Sequence, residues 1–77
     1  MKLNENRIDE VVLALLHLGR HNGDRVWKTF DWDVMDRLYE KGSITDHKVK
    51  AKSVIFTESG YQESKRLLYA LFGEPDK

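Results

Sequence analysis

The chain contains no cysteine among its 77 residues. A disulfide and a thiolate metal site are therefore both excluded, and the composition fits a reducing compartment. It has no long apolar run either. The most apolar stretch, Val11 to Leu18, is interrupted by His17 and falls far short of the roughly 20 residues that span a bilayer. Met1 to Asn6 offers no signal-peptide core, so the expected location is the cytoplasm, with no membrane partner. There is no excess charge of one sign: 13 basic side chains balance 13 acidic ones. Nothing in the total attracts nucleic acid or an anionic membrane over long range. Repeats, low-complexity tracts, a phosphate-binding glycine loop, a nucleophile elbow and a metal-ligand set are all missing. No spacing selects a catalytic group, and neither an enzyme nor a cofactor is expected.

What is present is a single small domain. A chain of this size buries only about 60% of the surface that its unfolded form exposes, so its core is thin. Domains this small often recruit a staple, and a partner subunit is one kind.

Helical spacing runs through Ile8, Val11, Val12, Leu15 and Leu16, with Asn6 as the expected cap and Gly19 as the stop. Adding Ala14 and Leu18 widens the apolar arc to about 200°, and Leu13 falls outside it. Residues 20–24 read as a turn. Arg25 to Phe30 is expected to form a short helix with Val26, Trp27 and Phe30 inward. Asp31 caps a second clear helix, stapled by Phe30 and Met35, buried through Val34, Met35 and Leu38, and ended by Gly42. Ile44 is a short extended anchor. Val49 to Phe56 reads as a strand, with Val54, Ile55 and Phe56 suited to burial on both sides. Thr57 caps the last helix, whose stripe is Tyr61, Leu67, Leu68, Leu71 and Phe72; Gly73 and Pro75 stop it, and Tyr69 lies off the stripe.

The segment from Leu38 to Ile44 resembles the exit from a winged-helix recognition helix. Lys52 to Gly60 looks like a returning wing strand followed by entry into a dimerisation helix. The implied fold is α+β, mainly helical and winged-helix-like, with a short β-hairpin before the C-terminal helix. A second resemblance runs through nearly the whole chain. Ile8-Asp9-Glu10, Leu13 to Leu16, Trp27 to Trp32, Asp36-Arg37-Leu38, Lys50 to Ser53 and Thr57 to Gly60 are similar to a family of small uncharacterised bacterial proteins. That family is a domain of unknown function and implies no activity and no site residues.

Several groups invite a functional reading. Asp31, Trp32, Asp33 and Asp36 would meet the groove if the second helix read DNA, but three carboxylates face phosphates and base-edge acceptors poorly. Capping and the helix dipole account for them. Lys48, Lys50 and Lys52 alternate along one strand face and could hold phosphates without reading sequence, or could simply guard a sheet edge. His17 and His21 have metal-ligand spacing but lack a third ligand. Of the aromatic knot Trp27, Phe30 and Trp32, one tryptophan suits the core; an exposed one would suit a binding hot spot or a cation–π pair with Arg37.

These readings converge on a non-enzymatic binding module. It is expected to form a homodimer through the first and last helices, with Leu13, Leu68, Tyr69, Phe72 and Trp32 as interface residues and a protein partner not named by the sequence. The alternative is a winged-helix DNA-binding regulator gripping weakly through its lysine wing.

Overall fold

The computed structural model describes residues 1–21, 23–27, 31–45 and 53–75, the side chain of Trp27 excepted. The elements in chain order are α1 (Glu5–Leu18), β1 (Arg25–Trp27), α2 (Trp32–Glu40), β2 (Ser53–Ile55) and α3 (Glu58–Phe72). The fold is mainly helical α+β and compatible with a winged-helix-like arrangement.

Local chemistry places most boundaries. The Asp31 side chain accepts from the Asp33 amide at the head of α2, and the Thr57 hydroxyl accepts from the Gly60 amide at the head of α3. Each satisfies an otherwise orphaned donor. Gly42 leaves α2 at φ +79°, a conformation that favours glycine. The cap of α1 is Asn4, not Asn6: its side chain accepts from the Arg7 amide at 3.2 Å, so the helix begins at Glu5.

The strands correct two expectations. Residues 25–27 form β1 instead of the start of a short helix, because Val26 pairs antiparallel with Val54, with Arg25 opposite Ile55 and Trp27 opposite Ser53. A three-residue run carries no periodicity of its own, and a partner strand decides its conformation. Phe30, the Trp27 side chain and residues 49–52 of the expected strand lie outside the described residues. The second correction concerns β2. Val54 and Phe56 are buried but Ile55 faces outward, so the segment alternates and is covered on one side only. An Ile44–Phe56 bridge and a bond from the Thr45 amide to the Ile55 carbonyl form the base of the hairpin that leads into α3.

One core joins these elements. Val12, Leu13, Ala14 and Leu16 from α1 meet Val34, Met35 and Leu38 from α2, Val26, Val54 and Phe56 from the sheet region, Ile44, and Leu67 from α3. Leu13 is 4% exposed. It belongs to the core, which removes it from the interface expected of it. The buried side of α1 runs through Asp9, Val12, Leu13 and Leu16, roughly a quarter turn from the arc centred on Val11, Val12 and Leu15. Among the described residues no helix is long and apolar enough to cross a membrane.

Candidate interaction surface

Rotating α1 in this way has two consequences: a carboxylate enters the core, and an apolar strip is left outside. Asp9 sits in the second turn of α1 with only 2% of its surface exposed. A carboxylate there requires charged partners. Arg37 and Lys41 supply them from one side of α2, four residues apart. Arg37 Nε donates to Asp9 Oδ1 and Oδ2 at 3.0 and 2.9 Å, and Arg37 Nη2 to Oδ1 at 2.8 Å. Lys41 Nζ donates to Oδ2 at 2.8 Å. Glu5 approaches the outer edge of the Arg37 guanidinium at 3.4 Å. Burial pushes the Asp9 carboxyl up, but the bonds and charges of Arg37 and Lys41 outweigh it and hold the group below its ordinary range. The Asp9 bonds raise Arg37 in turn. Arg37 is thus committed to α1, and among the described residues the one cation–π contact is that of Arg20 with Tyr61, not one of Arg37 with Trp32.

Beside this cluster lies a cavity of about 260 Å³ whose lining includes Asp9, Glu10, Leu13, Lys41 and Glu63. It falls below the roughly 300 Å³ at which small-molecule sites begin. Two of its acidic side chains and its lysine are already engaged: Lys41 with Asp9, and Glu63 with Arg66 at 2.6 Å.

His17 joins α1 to α3. Its Nδ1 lies 2.8 Å from the Ser64 hydroxyl, which itself donates to the Tyr61 carbonyl at 2.8 Å. With its one hydroxyl hydrogen directed to the Tyr61 carbonyl, Ser64 Oγ suits a His17 tautomer protonated on Nδ1. Burial lowers the His17 pKa, and the charges of Arg20 and Lys65 lower it further. The ring packs beside Tyr61, over which the Arg20 guanidinium lies at 4.7 Å. His21 Nδ1 approaches the Gly19 carbonyl at 3.5 Å. No group of three or more candidate metal ligands occurs among the described residues.

The opposite side of α1 is the apolar strip. Val11, Leu15 and Leu18 are exposed, Leu18 at 69%, and Ile8 is half-buried. A shallow depression over Arg7, Ile8, Val11, Val12 and Leu15 is lined by apolar atoms alone. The two helices run antiparallel, since Arg20 lies over Tyr61 and His17 meets Ser64, while Leu13 shares a cavity with Leu67. One turn further along α3, Leu68 comes level with Ala14, and another turn brings Phe72 level with Val11. Leu68 is half-buried against the core; Phe72 and Tyr69 are exposed, Tyr69 at 67%. The end of α3 therefore extends the strip.

A family model described as a domain of unknown function (DUF6429) matches residues 4–74. The chain belongs to this family. The chain is also similar to a DUF6429-sized relative, the uncharacterized protein y4hR of Sinorhizobium fredii, at 46% identity over 72 residues, covering 94% of this chain and 97% of the relative. No solved structure matches it. The family expected from the sequence is thereby borne out, and it brings no assigned site.

In this DUF6429 chain, Leu68 and Phe72 come level with a strip that periodicity assigns to the core, and Tyr69 is the exposed neighbour of Phe72 one turn back along α3. Trp32 is 56% exposed but stands on α2, two turns from the exposed Tyr39. Lys48, Lys50 and Lys52 lie outside the described residues. The Asp9–Arg37–Lys41 cluster went unread. Its signal was a carboxylate between Ile8 and Val12, paired with two cations one turn apart around Leu38.

Proposed function

We propose that this chain is a non-enzymatic interaction module whose binding surface is the apolar side of α1, extended by the C-terminal end of α3. The observation that carries the reading is the exposure of Val11, Leu15 and Leu18 on a helix whose other side already fills the core. Contiguous apolar surface on a small domain usually marks an interface. Among the described residues, Asp9, His17 and Ser64 are engaged structurally. Ser64 is fully buried and bonded to both the Tyr61 carbonyl and His17, out of reach of a substrate. Asp9 is held as a buried, doubly paired carboxylate.

Nucleic acid is the less supported partner. Asp31 and Asp33 stand at the head of α2, where a groove-reading helix would need donors, and Arg37 faces α1. The lysine-wing alternative rests on residues 48–52.

The test is retention of partners from a bacterial host extract by the immobilised chain, compared with Leu18→Glu. Leu18 lies at the rim, so the substitution leaves the core intact. The expected result is a component held by the wild type and lost with the variant; identical recovery from both would overturn the reading.

A further inference from the structure

We infer that the partner on this surface is a second copy of the same chain, docked with its α1 antiparallel across the first. The inference rests on the interaction-module reading and gives that module its occupant.

Three features of the surface point to self-pairing. The first is spacing. Ile8, Val11, Leu15 and Leu18 follow one another at three, four and three residues, the a/d repeat of a helix seam. This sequence of steps reads the same in both directions. Turning α1 end for end about Leu13 exchanges Ile8 with Leu18 and Val11 with Leu15. A two-fold axis at that level sets Val11 against Leu15 of the partner subunit and Ile8 against Leu18 of the partner subunit, so one patch serves both sides as an isologous interface requires.

The second feature is charge. Arg7 borders the strip, and its guanidinium has no ion pair among the described residues. In the antiparallel arrangement it arrives level with Gly19 of the partner subunit, where the last carbonyls of the other α1 concentrate negative potential. A parallel arrangement would bring the two Arg7 side chains together instead.

The third is area. Val11, Leu15, Leu18, Tyr69 and Phe72 are about half exposed on average. At roughly 200 Å² for a large side chain they present on the order of 500 Å². That is about a tenth of the 5632 Å² surface, the share that a standard interface takes from a small protein. The half-buried Ile8 and Leu68 at the margins, with the Arg7 stem, bring the patch toward the ~800 Å² a side of such interfaces.

The absence of native cysteine makes the arrangement directly testable, because an introduced thiol is the only one present. Val11→Cys and Leu15→Cys chains are prepared separately, then mixed under mild oxidation, while the wild type is examined by sedimentation equilibrium at micromolar concentration. The expected results are a species of twice 9.1 kDa for the wild type and a disulfide-linked dimer that joins one Val11→Cys chain to one Leu15→Cys chain. Neither variant should cross-link appreciably alone, because identical positions are offset by four residues along the paired helices. Leu15→Glu, checked for native helicity by circular dichroism, should weaken dimerisation about a hundredfold or more, since two carboxylates enter the seam. Leu18→Glu, at the rim, should give a smaller loss in the same direction and serves if Leu15→Glu does not fold.

Efficient self-cross-linking of Val11→Cys would overturn the antiparallel arrangement. A strictly monomeric wild type would overturn self-association altogether. In that case a component captured from extract and lost with Leu18→Glu would leave the module reading standing with another partner, whereas capture insensitive to Leu18→Glu would remove both.

Discussion

Against α2, the first helix presents Asp9, and the junction is closed by a guanidinium and an ammonium reaching a carboxylate that is almost fully enclosed. Against α3 it presents Leu13, Ala14 and His17, and the junction is closed by apolar packing with one imidazole-to-hydroxyl bond. α3 is also seated on the turn after α2: Thr57 donates its hydroxyl hydrogen to the Gly42 carbonyl, the Thr57 amide donates to the Ser43 carbonyl, and Gly60 lies against Ser43. The α1–α2 junction depends on charge, whereas α3 is held by apolar packing on α1 and by its close approach to the turn after α2. They should therefore fail under different insults, and three measurements separate them.

The largest effect is expected at the close approach. A Cβ on Gly60 would stand 1.8 Å from the Ser43 carbonyl oxygen, which is backbone and cannot rotate aside. Gly60→Ala should destabilise the fold by about 3 kcal/mol, the upper end for overpacking, as read by urea denaturation. A loss below about 1 kcal/mol would mean that α3 can shift away from the turn at little cost, and the contrast between the junctions would collapse.

Asp9→Ala comes next. Removing one member of a buried ion pair costs about 3–5 kcal/mol when the remaining charge is trapped. Here Arg37 and Lys41 retain access to water, so about 2 kcal/mol is expected. The pH dependence sharpens this. The folded Asp9 carboxyl lies below its ordinary value, so its contribution is present above about pH 4 and is lost as pH falls through the folded pKa. Arg37→Gln should move the acid transition to higher pH, because the buried carboxylate keeps only Lys41. An unchanged acid transition would show that the cluster does not hold α1 to α2.

The smallest effect belongs to His17. Its folded pKa is depressed by burial and by Arg20 and Lys65. Below about pH 6.5 the unfolded chain takes up a proton that the folded chain refuses, so stability falls as pH drops through that window. His17→Gln should flatten this dependence by under about 1 kcal/mol while leaving the lower Asp9 transition in place. A wild type with no slope between pH 5 and about 6.5 would place His17 in a more open setting than its contact with Ser64 indicates.

Capping was legible in the sequence because it is local. Asp31, Thr57, Gly42 and Gly73 act on backbone groups within a turn of themselves, and each stands where its chemistry predicts. The three helices and the extended segments leading into the last one follow from those signals, whereas the short helix expected over residues 25–30 does not stand at 25–27. The facing of α1 was not legible. Ile8, Val11 to Leu16 and Leu18 place apolar side chains around most of its circumference, so several rotations bury similar area. Leu13 and Leu15 could each be inside or outside by periodicity alone. Tertiary structure decided between them through Asp9, which can be enclosed only where Arg37 and Lys41 reach it. Once that carboxylate faces α2, Leu13 turns inward and Val11, Leu15 and Leu18 turn out. β1 was settled in the same way. Residues 25–27 carry no preference that outweighs a partner, and theirs arrives from β2, with the whole of α2 between them in sequence. Helix ends are fixed by neighbours along the chain, whereas helix rotation and strand pairing are fixed by groups that meet only after the chain has folded.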